Sequence, residues 1–316
     1  MRKWFALFAA SIVAVAACGA RTELRVAPVT TADAGPEPID AGPDADAMVD
    51  VVEEPDAIDP FPDVGVVDCE EAGITYIYVI TSNNELLRFY PPDLSFTTIG
   101  TIDCPNANGA TPFSMAVDRQ GVAYVVFNDG QLYRVSTLTA SCKETGFVPQ
   151  QDGFPISFGM GFSSNNNDPG ETLFVSGADL SDAGTISTLG TIDTDTFKLT
   201  VVGQYSQPIG NPELTGTKDA RLFAFGPEIP DTHLAEIEKT KAVVKTDTLL
   251  QLGQSMNSAW AFAFWGGDFY FFTEDDQNTM IVHRYTPGGP TAPPAVVAVD
   301  GLIIVGAGVS TCAPSQ

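Results

Sequence analysis

Residues 115–125 read Met-Ala-Val-Asp-Arg-Gln-Gly-Val-Ala-Tyr-Val, two apolar runs on either side of a polar turn. This arrangement is typical of a β-hairpin, because Asp and Gly favour turns and Val and Tyr favour strands. A third apolar run, Leu132–Val135, follows a second turn at Asn128-Asp129-Gly130. The segment therefore predicts three consecutive antiparallel strands, with Tyr124 at the centre of the middle one.

The same unit recurs along the chain. Its central aromatic residues are Tyr78, Tyr124, Phe174, Phe223 and Tyr270, which are 46, 50, 49 and 47 residues apart. Repeats of this length are typical of propeller blades. The predicted strands that follow each aromatic are Leu86–Phe89, Leu132–Val135, Ile186–Leu189, Leu234–Ile237 and Val282–Tyr285, and those that precede it are Phe113–Val117, Ser157–Phe162, Glu213–Gly216 and Ala259–Phe264.

Only the first unit has no preceding strand, whereas Leu302–Val309 is a C-terminal strand without a unit of its own. A ring closes if this strand joins the first blade, which removes an exposed sheet edge. The sequence therefore predicts an all-β protein. Residues 69–316 would form a β-propeller of about five four-stranded blades, or of six if a further blade lies between Asp179 and Gln204.

Composition agrees with this fold class and excludes one class of partner. The chain has 29 Gly and 23 Pro, and only 17% of its residues are charged, which favours a turn-rich all-β protein over a helical one. It carries 15 Lys and Arg against 40 Asp and Glu, a net charge of −25. We therefore expect no nucleic-acid binding, because phosphate contacts need a basic surface.

The segment Met115–Val125 also resembles the blade motif of NHL-type and gluconolactonase-type propellers. In gluconolactonase-type propellers a hard cation in the channel polarises a lactone or ester carbonyl. The resemblance implies a propeller fold and raises calcium as a cofactor, although the residues themselves assign none.

The N-terminus predicts export. Residues 1–18 contain Arg2 and Lys3, an apolar run too short to span a bilayer, and then a cysteine. Val15-Ala16-Ala17-Cys18 resembles the lipobox of bacterial lipoproteins, which implies a signal peptide of residues 1–18 and lipidation at Cys18. Gly19 after the cysteine favours the outer membrane, where the domain would face either the periplasm or the outside.

Residues 19–68 predict a disordered, acidic tether, because Asp, Glu and Pro alternate there and no aromatic occurs before Phe61. Cys18–Leu24 followed by such a tether resembles predicted lipoproteins of myxobacteria and their relatives. The domain boundaries are therefore 1–18, 19–68 and 69–316.

The four remaining cysteines, Cys69, Cys104, Cys142 and Cys312, allow three pairings in an oxidising compartment. Ring closure favours Cys69–Cys312, because both cysteines would flank the predicted closing strands. Cys104 would then pair with Cys142, although the predicted strands place these two near opposite ends of neighbouring outer strands.

Catalytic motifs are not evident. The two histidines, His233 and His283, are fifty residues apart and lie in or beside predicted strands, which favours structural roles. No zinc-ligand spacing, nucleophile elbow or phosphate-binding loop occurs.

The candidate binding face is the end where the turns after the aromatic strands meet the links between blades. Asn and Asp oxygens there could bind calcium, or the residues could simply favour tight turns. The candidate residues in the turns are Asn83, Asn84, Glu85, Asn128, Asp129, Asp179, Asp182, Glu228, Asp231, Glu274, Asp275 and Asp276. Five of these are the candidate calcium ligands: Asn128, Asp129, Glu274, Asp275 and Asp276. The links between blades add Asn106, Asn108, Gln150, Gln151, Asp152, Asn211 and Asn257.

An aromatic hairpin, Trp260–Trp265 and Phe269–Phe272, could be a sugar-stacking platform. Alternation of Phe with Ala in its first strand favours packing between blades instead. Trp265, at the start of a turn, is the member expected to be exposed.

Two functions fit these features. The first is a non-enzymatic, monomeric, lipid-anchored module that binds a protein, peptide or glycan of the cell envelope. The alternative is a calcium-assisted lactone or ester hydrolase of the gluconolactonase kind.

Overall fold

A computed structural model describes residues 61, 76–178, 186–227, 232–253 and 259–316. The described strands form five four-stranded antiparallel sheets arranged as the blades of a β-propeller. Within these residues no helix is long and apolar enough to cross a membrane.

The strands follow one another blade by blade, from the axis outward in blades 2 to 5. Blade 1 contains β1 (Ile77–Thr81), β2 (Glu85–Tyr90) and β3 (Ser95–Thr101); blade 2 contains β4 (Pro112–Val117), β5 (Val122–Phe127), β6 (Leu132–Ser136) and β7 (Cys142–Glu144); blade 3 contains β8 (Gly159–Ser164), β9 (Glu171–Gly177), β10 (Thr188–Ile192) and β11 (Leu199–Gln204). Blade 4 contains β12 (Glu213–Gly216), β13 (Leu222–Pro227), β14 (Thr232–Glu238) and β15 (Val243–Leu250), and blade 5 contains β16 (Trp260–Trp265), β17 (Asp268–Glu274), β18 (Thr279–Tyr285) and β19 (Ala295–Asp300). A short 3₁₀ helix, Gln151–Gly153, lies in the link between blades 2 and 3.

The last strand, β20 (Ile304–Gly308), returns to blade 1 and closes the ring. It pairs antiparallel with β1, placing Tyr78 opposite Gly308 and Val79 opposite Ala307. The predicted five blades and their closure are confirmed. The six-blade alternative is wrong, because β10 and β11 are the outer strands of blade 3 and pair with β9.

One strand begins two residues later than predicted. The segment predicted as Ile186–Leu189 is a strand only from Thr188 onward, to Ile192. Ser187 lies just outside the ladder, and its hydroxyl donates to the carbonyl oxygen of Gly210 at 2.6 Å. This bond ties Ser187 to the link between blades 3 and 4.

Apolar packing occurs between blades. The five hydrophobic clusters each combine residues from two adjacent blades, so that every blade–blade interface has its own core. In the cluster between blades 4 and 5, Phe225 and Phe271 are fully buried with ring centroids 4.7 Å apart, and Phe262 lies beside them. The core interpretation of the aromatic hairpin is thus confirmed for Phe262 and Phe271. Trp265, expected to be exposed, is half-buried against the cluster between blades 5 and 1.

The innermost strands β4, β8, β12, β16 and β20 contact their neighbours around the axis. Glycine permits the closest approaches. A Cβ atom at Gly216 would lie 2.2 Å from the carbonyl oxygen of Phe162, and one at Gly159 would lie 2.3 Å from that of Pro212. Any larger residue at these two positions would push neighbouring blades apart.

We therefore expect Gly216→Ala to lower the free energy of unfolding by roughly 1–3 kcal/mol, the usual cost of overpacking a core. Gly146→Ala is the matched control, because its Cβ would meet Phe197 at an ordinary 3.8 Å. Denaturant unfolding of the two variants measures the difference. Equal stabilities would mean that blades 3 and 4 are not in such close contact.

A disulfide joins the first two blades. Cys104 and Cys142 are bonded, with Cα atoms 5.0 Å apart. The predicted pairing is confirmed. The two cysteines are not at opposite ends of neighbouring outer strands as predicted, because the link after β3 crosses to blade 2 and runs along β7, where Asn106 Nδ2 donates to Glu144 Oε1 at 2.7 Å. Cys312 is also disulfide-bonded. Its expected partner, Cys69, lies outside the described residues, so that pairing stays a prediction.

The N-terminal predictions concern residues that are mostly outside the described part, including Cys18. Phe61 is the exception. It was assigned to the tether, but its ring packs against the cluster between blades 2 and 3, with the guanidinium of Arg134 5.7 Å from the ring centroid. At least this residue of the predicted tether therefore contacts the propeller.

Candidate functional site

The turns and links of the predicted binding face lie at one end of the propeller, which we call the rim. It comprises the turns β1–β2, β5–β6 and β17–β18 and the links that lead into the innermost strands. Backbone hydrogen bonds join these turns to the links: Ser82 N–H donates to Ile303, Asn128 N–H to Thr111 and Glu274 N–H to Ala259. The turns and links therefore converge at one end of the propeller, as predicted.

Several predicted rim residues stabilise their own turns. Asp129 Oδ1 accepts the backbone N–H of Gln131 at 3.0 Å. Asp275 Oδ1 accepts two backbone N–H groups of its own turn, at 2.8 and 2.9 Å. Asn84 has a φ of 63°, a conformation that Asn tolerates better than most residues. These three residues have the local role that Asp and Asn commonly play in turns.

The calcium candidates come from two separate places. Asn128 and Asp129 belong to blade 2, whereas Glu274, Asp275 and Asp276 belong to blade 5, and these two blades are not neighbours. Among the residues that the structure describes, no three His, Cys, Asp or Glu side chains are grouped so that they could hold a metal ion. The remaining turn candidates, Asp179, Asp182, Glu228 and Asp231, and the link residue Asn257 lie outside the described ranges.

At the centre of the rim is a cavity on the propeller axis, which we call the axial cavity. The first residues of the innermost strands line it, with Phe113, Gly159, Glu213, Trp260 and Val305 representing the five blades. The volume of this cavity is about 70 Å³, which is several times the volume that one water molecule needs. All five blades thus contribute to one small site.

Among the described residues of this lining, Glu213 is the ionisable one. Its side chain is buried, and its Oε2 accepts a hydrogen bond from the Ser114 hydroxyl of β4 at 2.6 Å. Ser114 Oγ in turn accepts the backbone N–H of Met160 on β8 at 3.1 Å. Burial raises the pKa of Glu213 to about 8, and the hydrogen bond from Ser114 only partly offsets this. Glu213 is therefore mostly a neutral acid at pH 7.

Sequence reasoning missed Glu213 as a site residue and treated it only as the beginning of a strand. Its neighbour Asn211, in contrast, was among the predicted link residues, and it does line the cavity. The position of Glu213, first in a predicted innermost strand directly after a blade link, was the available signal. Such a position faces the axis once the blades close into a ring.

The opposite end of the axis is filled by Arg119. Its guanidinium donates to Thr311 Oγ1 at 2.8 Å, to Ser164 Oγ at 2.6 Å and to the carbonyl oxygen of Pro169. Glu171 accepts from the Arg119 backbone N–H and from the Thr311 hydroxyl, both at 2.7 Å. This network joins blades 2 and 3 to the C-terminal segment, and we assign it a structural role.

Both histidines lie on the third strand of a blade. His233 Nδ1 is 2.9 Å from Asp247 Oδ2, and His283 Nδ1 is 3.2 Å from the carbonyl oxygen of Pro293. Burial lowers the pKa of His283, which keeps it neutral at physiological pH. Neither residue lines the axial cavity.

Fold and site together define a closed five-bladed β-propeller with a small acidic cavity on its axis. No family model matches the chain, and no curated protein matches it. Among solved structures, a chain from "Crystal structure of Nidogen/Laminin Complex" is similar at 13% identity and a TM-score of 0.42, covering 77% of this chain and 85% of that one. "Structure of Dos1 propeller" is similar at 10% identity and a TM-score of 0.38, covering 73% and 56%.

The Arg119 network yields a stability prediction. Arg119→Met removes the guanidinium hydrogen bonds and the cation whose Nε lies 3.8 Å from Glu171 Oε2, and removing one partner of a buried ion pair usually costs roughly 3–5 kcal/mol. The control is Lys143→Met, which also removes one positive charge but at an exposed position on β7. Denaturant unfolding should show a large loss for Arg119→Met and little change for the control. A loss below about 1 kcal/mol would contradict the role assigned to Arg119.

A second prediction concerns pH. Because the pKa of Glu213 is raised, the folded state holds a proton that the unfolded state releases between about pH 4.5 and 8. Glu213 therefore makes stability fall as pH rises through this window, by at most about 1.4 kcal/mol per pH unit. Glu213→Gln should flatten the pH dependence of the melting temperature relative to the parent chain. Parallel curves for the two proteins would contradict the buried, neutral acid.

Proposed function

We propose that this chain is an exported, lipid-anchored, monomeric β-propeller that acts as a non-enzymatic binding module at the cell envelope. Its anchor would be Cys18, in the outer membrane, and residues 19–68 would form most of its tether. Its binding face would be the rim, and its partner a protein, peptide or glycan. The lipobox-like Val15–Cys18 and the acidic Pro-rich sequence after it support the anchor and the tether.

The observation that carries the binding proposal is the direction in which the chain enters the ring. β1 begins at Ile77 and runs toward the β1–β2 turn, which belongs to the rim. Tyr76, directly before β1, therefore lies at the end opposite the rim. We propose that the tether approaches from this end, so that the rim faces away from the membrane and a partner can reach it.

The hydrolase alternative gains no comparable support. The described rim aspartates Asp129 and Asp275 each use a carboxylate oxygen to bond their own turn. We therefore favour the binding function, which needs only the accessible rim and the cavity at its centre.

The anchor makes a direct prediction. Cys18→Ser removes the acceptor for the lipid, so we expect the full chain to move from the detergent phase to the aqueous phase in a phase-partition assay and to lose incorporation of labelled fatty acid. Cys142→Ser is the matched control, since it loses a cysteine of the propeller and must still partition with detergent. Detergent partitioning by Cys18→Ser would overturn the lipid anchor.

The binding face can be tested by site-specific photo-cross-linking in the cells that make the protein. The photoreactive residue would replace Asn83 or Gln277 on the rim and, as matched controls, Asn167 or Lys218, which are exposed in turns at the opposite end. We expect adducts of defined mass from the rim positions only. Adducts from the control positions alone, or from none of the four, would contradict the proposal.

A further inference from the structure

The geometry points to the chemistry of the group that enters the axial cavity. We propose that this cavity takes an alkylammonium group, with the ammonium at Glu213 and Asn211 and its alkyl stem against the apolar walls. The inference rests on the proposed binding function and deepens it. Free aliphatic amines and lysine side chains share this chemistry.

A buried hydrogen-bond acceptor without a donor, beside a buried carboxyl group, is the first reason. Asn211 Oδ1 is buried and has no hydrogen-bond partner among the described residues. Glu213, two residues further along the same wall, is bonded on Oε2 by Ser114. A buried acceptor left unpaired costs free energy, and a ligand that donates N–H groups recovers it. An ammonium carries three donors and no acceptor, which suits such a pair.

Charge is the second reason. Among the described residues that line the cavity, Glu213 is the only ionisable one, and no cation is among the groups that shift its pKa. The groups that contact its carboxyl are the Ser114 hydroxyl and the backbone N–H of Met160. A carboxylate buried without a counter-ion is unfavourable, so a cationic ligand would supply what the protein itself lacks.

The walls provide the third reason. Pro112, Pro212 and Val305 are apolar, and Phe113 and Trp260 add aromatic surface. Apolar walls fit a methylene stem, and aromatic faces attract cations. The small volume suits a head group with a short chain better than a whole sugar or peptide. A hydroxyl-rich ligand would leave this apolar surface unused.

The proposal has a definite pH dependence. A cation binds the ionised form of Glu213, and burial raises the pKa of this group to about 8 in the free protein. The ionised fraction rises about ninefold from pH 6 to 7 and about fivefold from pH 7 to 8, whereas an aliphatic amine with a pKa near that of lysine, about 10.4, stays protonated. Amine affinity should therefore increase by up to about tenfold per pH unit and level off above pH 8.

The experiment is calorimetric titration of the full chain with pentylamine, and with 1-pentanol as its neutral analogue. We expect pentylamine to bind at pH 8 at least tenfold more tightly than pentanol, and more weakly at pH 6. Glu213→Gln should weaken pentylamine binding at least tenfold. Glu144→Gln is the matched control, because it removes one negative charge from an exposed strand and should leave binding unchanged.

Three outcomes would overturn the inference: no pentylamine binding, equal affinity for pentanol, or an affinity in the parent chain that does not change between pH 6 and 8. The pH series needs no variant, so it decides the matter even if Glu213→Gln does not fold. A peptide with one lysine between glycines tests whether the alkylammonium group comes from a protein or from a free amine. Binding of the peptide supports a protein partner, and binding of pentylamine alone supports a free amine. If the rim positions give cross-linked adducts but pentylamine does not bind, this inference is wrong and the proposed binding function still stands.

Discussion

The pairing of β20 with β1 is the constraint on which the rest of the structure depends. Blade 1 takes its innermost strand from the C-terminus and its other three strands from residues 77–101. Without that pairing, the apolar clusters between blades 5 and 1 and between blades 1 and 2 would lose part of their packing surface. Closure also removes the sheet edge that an open array of blades would expose.

Closure into five blades brings the innermost strands close together, and their sequences accommodate this. Gly159 and Gly216 allow β8 and β12 to approach neighbouring backbone at distances that a Cβ would prevent. The same crowding leaves little room on the axis, and polar groups occupy both of its ends. At one end each guanidinium nitrogen of Arg119 donates a hydrogen bond, whereas at the other end Asn211 Oδ1 has no partner among the described residues. The first arrangement stabilises the ring, and the second is suited to a ligand.

This difference between the two ends explains why the rim is the better candidate for function. At the Arg119 end, every side chain of the network has its partners within the protein, including the C-terminal Thr311. At the rim, the turn aspartates are likewise engaged locally, but the cavity between the blades is lined by a buried acid and apolar surface. A binding site at the centre of the ring needs all five blades in place, so ligand binding and ring closure are coupled through the same strands.

Sequence by itself determined the fold to within a few residues. The spacing of Tyr78, Tyr124, Phe174, Phe223 and Tyr270 predicted five repeating units and left a sixth open, and the unpaired C-terminal strand predicted how the ring closes, because hydrophobic periodicity and repeat length are local properties. It also placed the turns and links together at one rim. Only the tertiary structure decided what lies on the axis. Glu213 looks like an ordinary strand residue until five blades bury it, and Cys104 reaches Cys142 only because a link crosses to the next blade. Burial and cross-blade contacts join residues that are distant in sequence, as in the pair Ser114 and Glu213, and no local pattern records them.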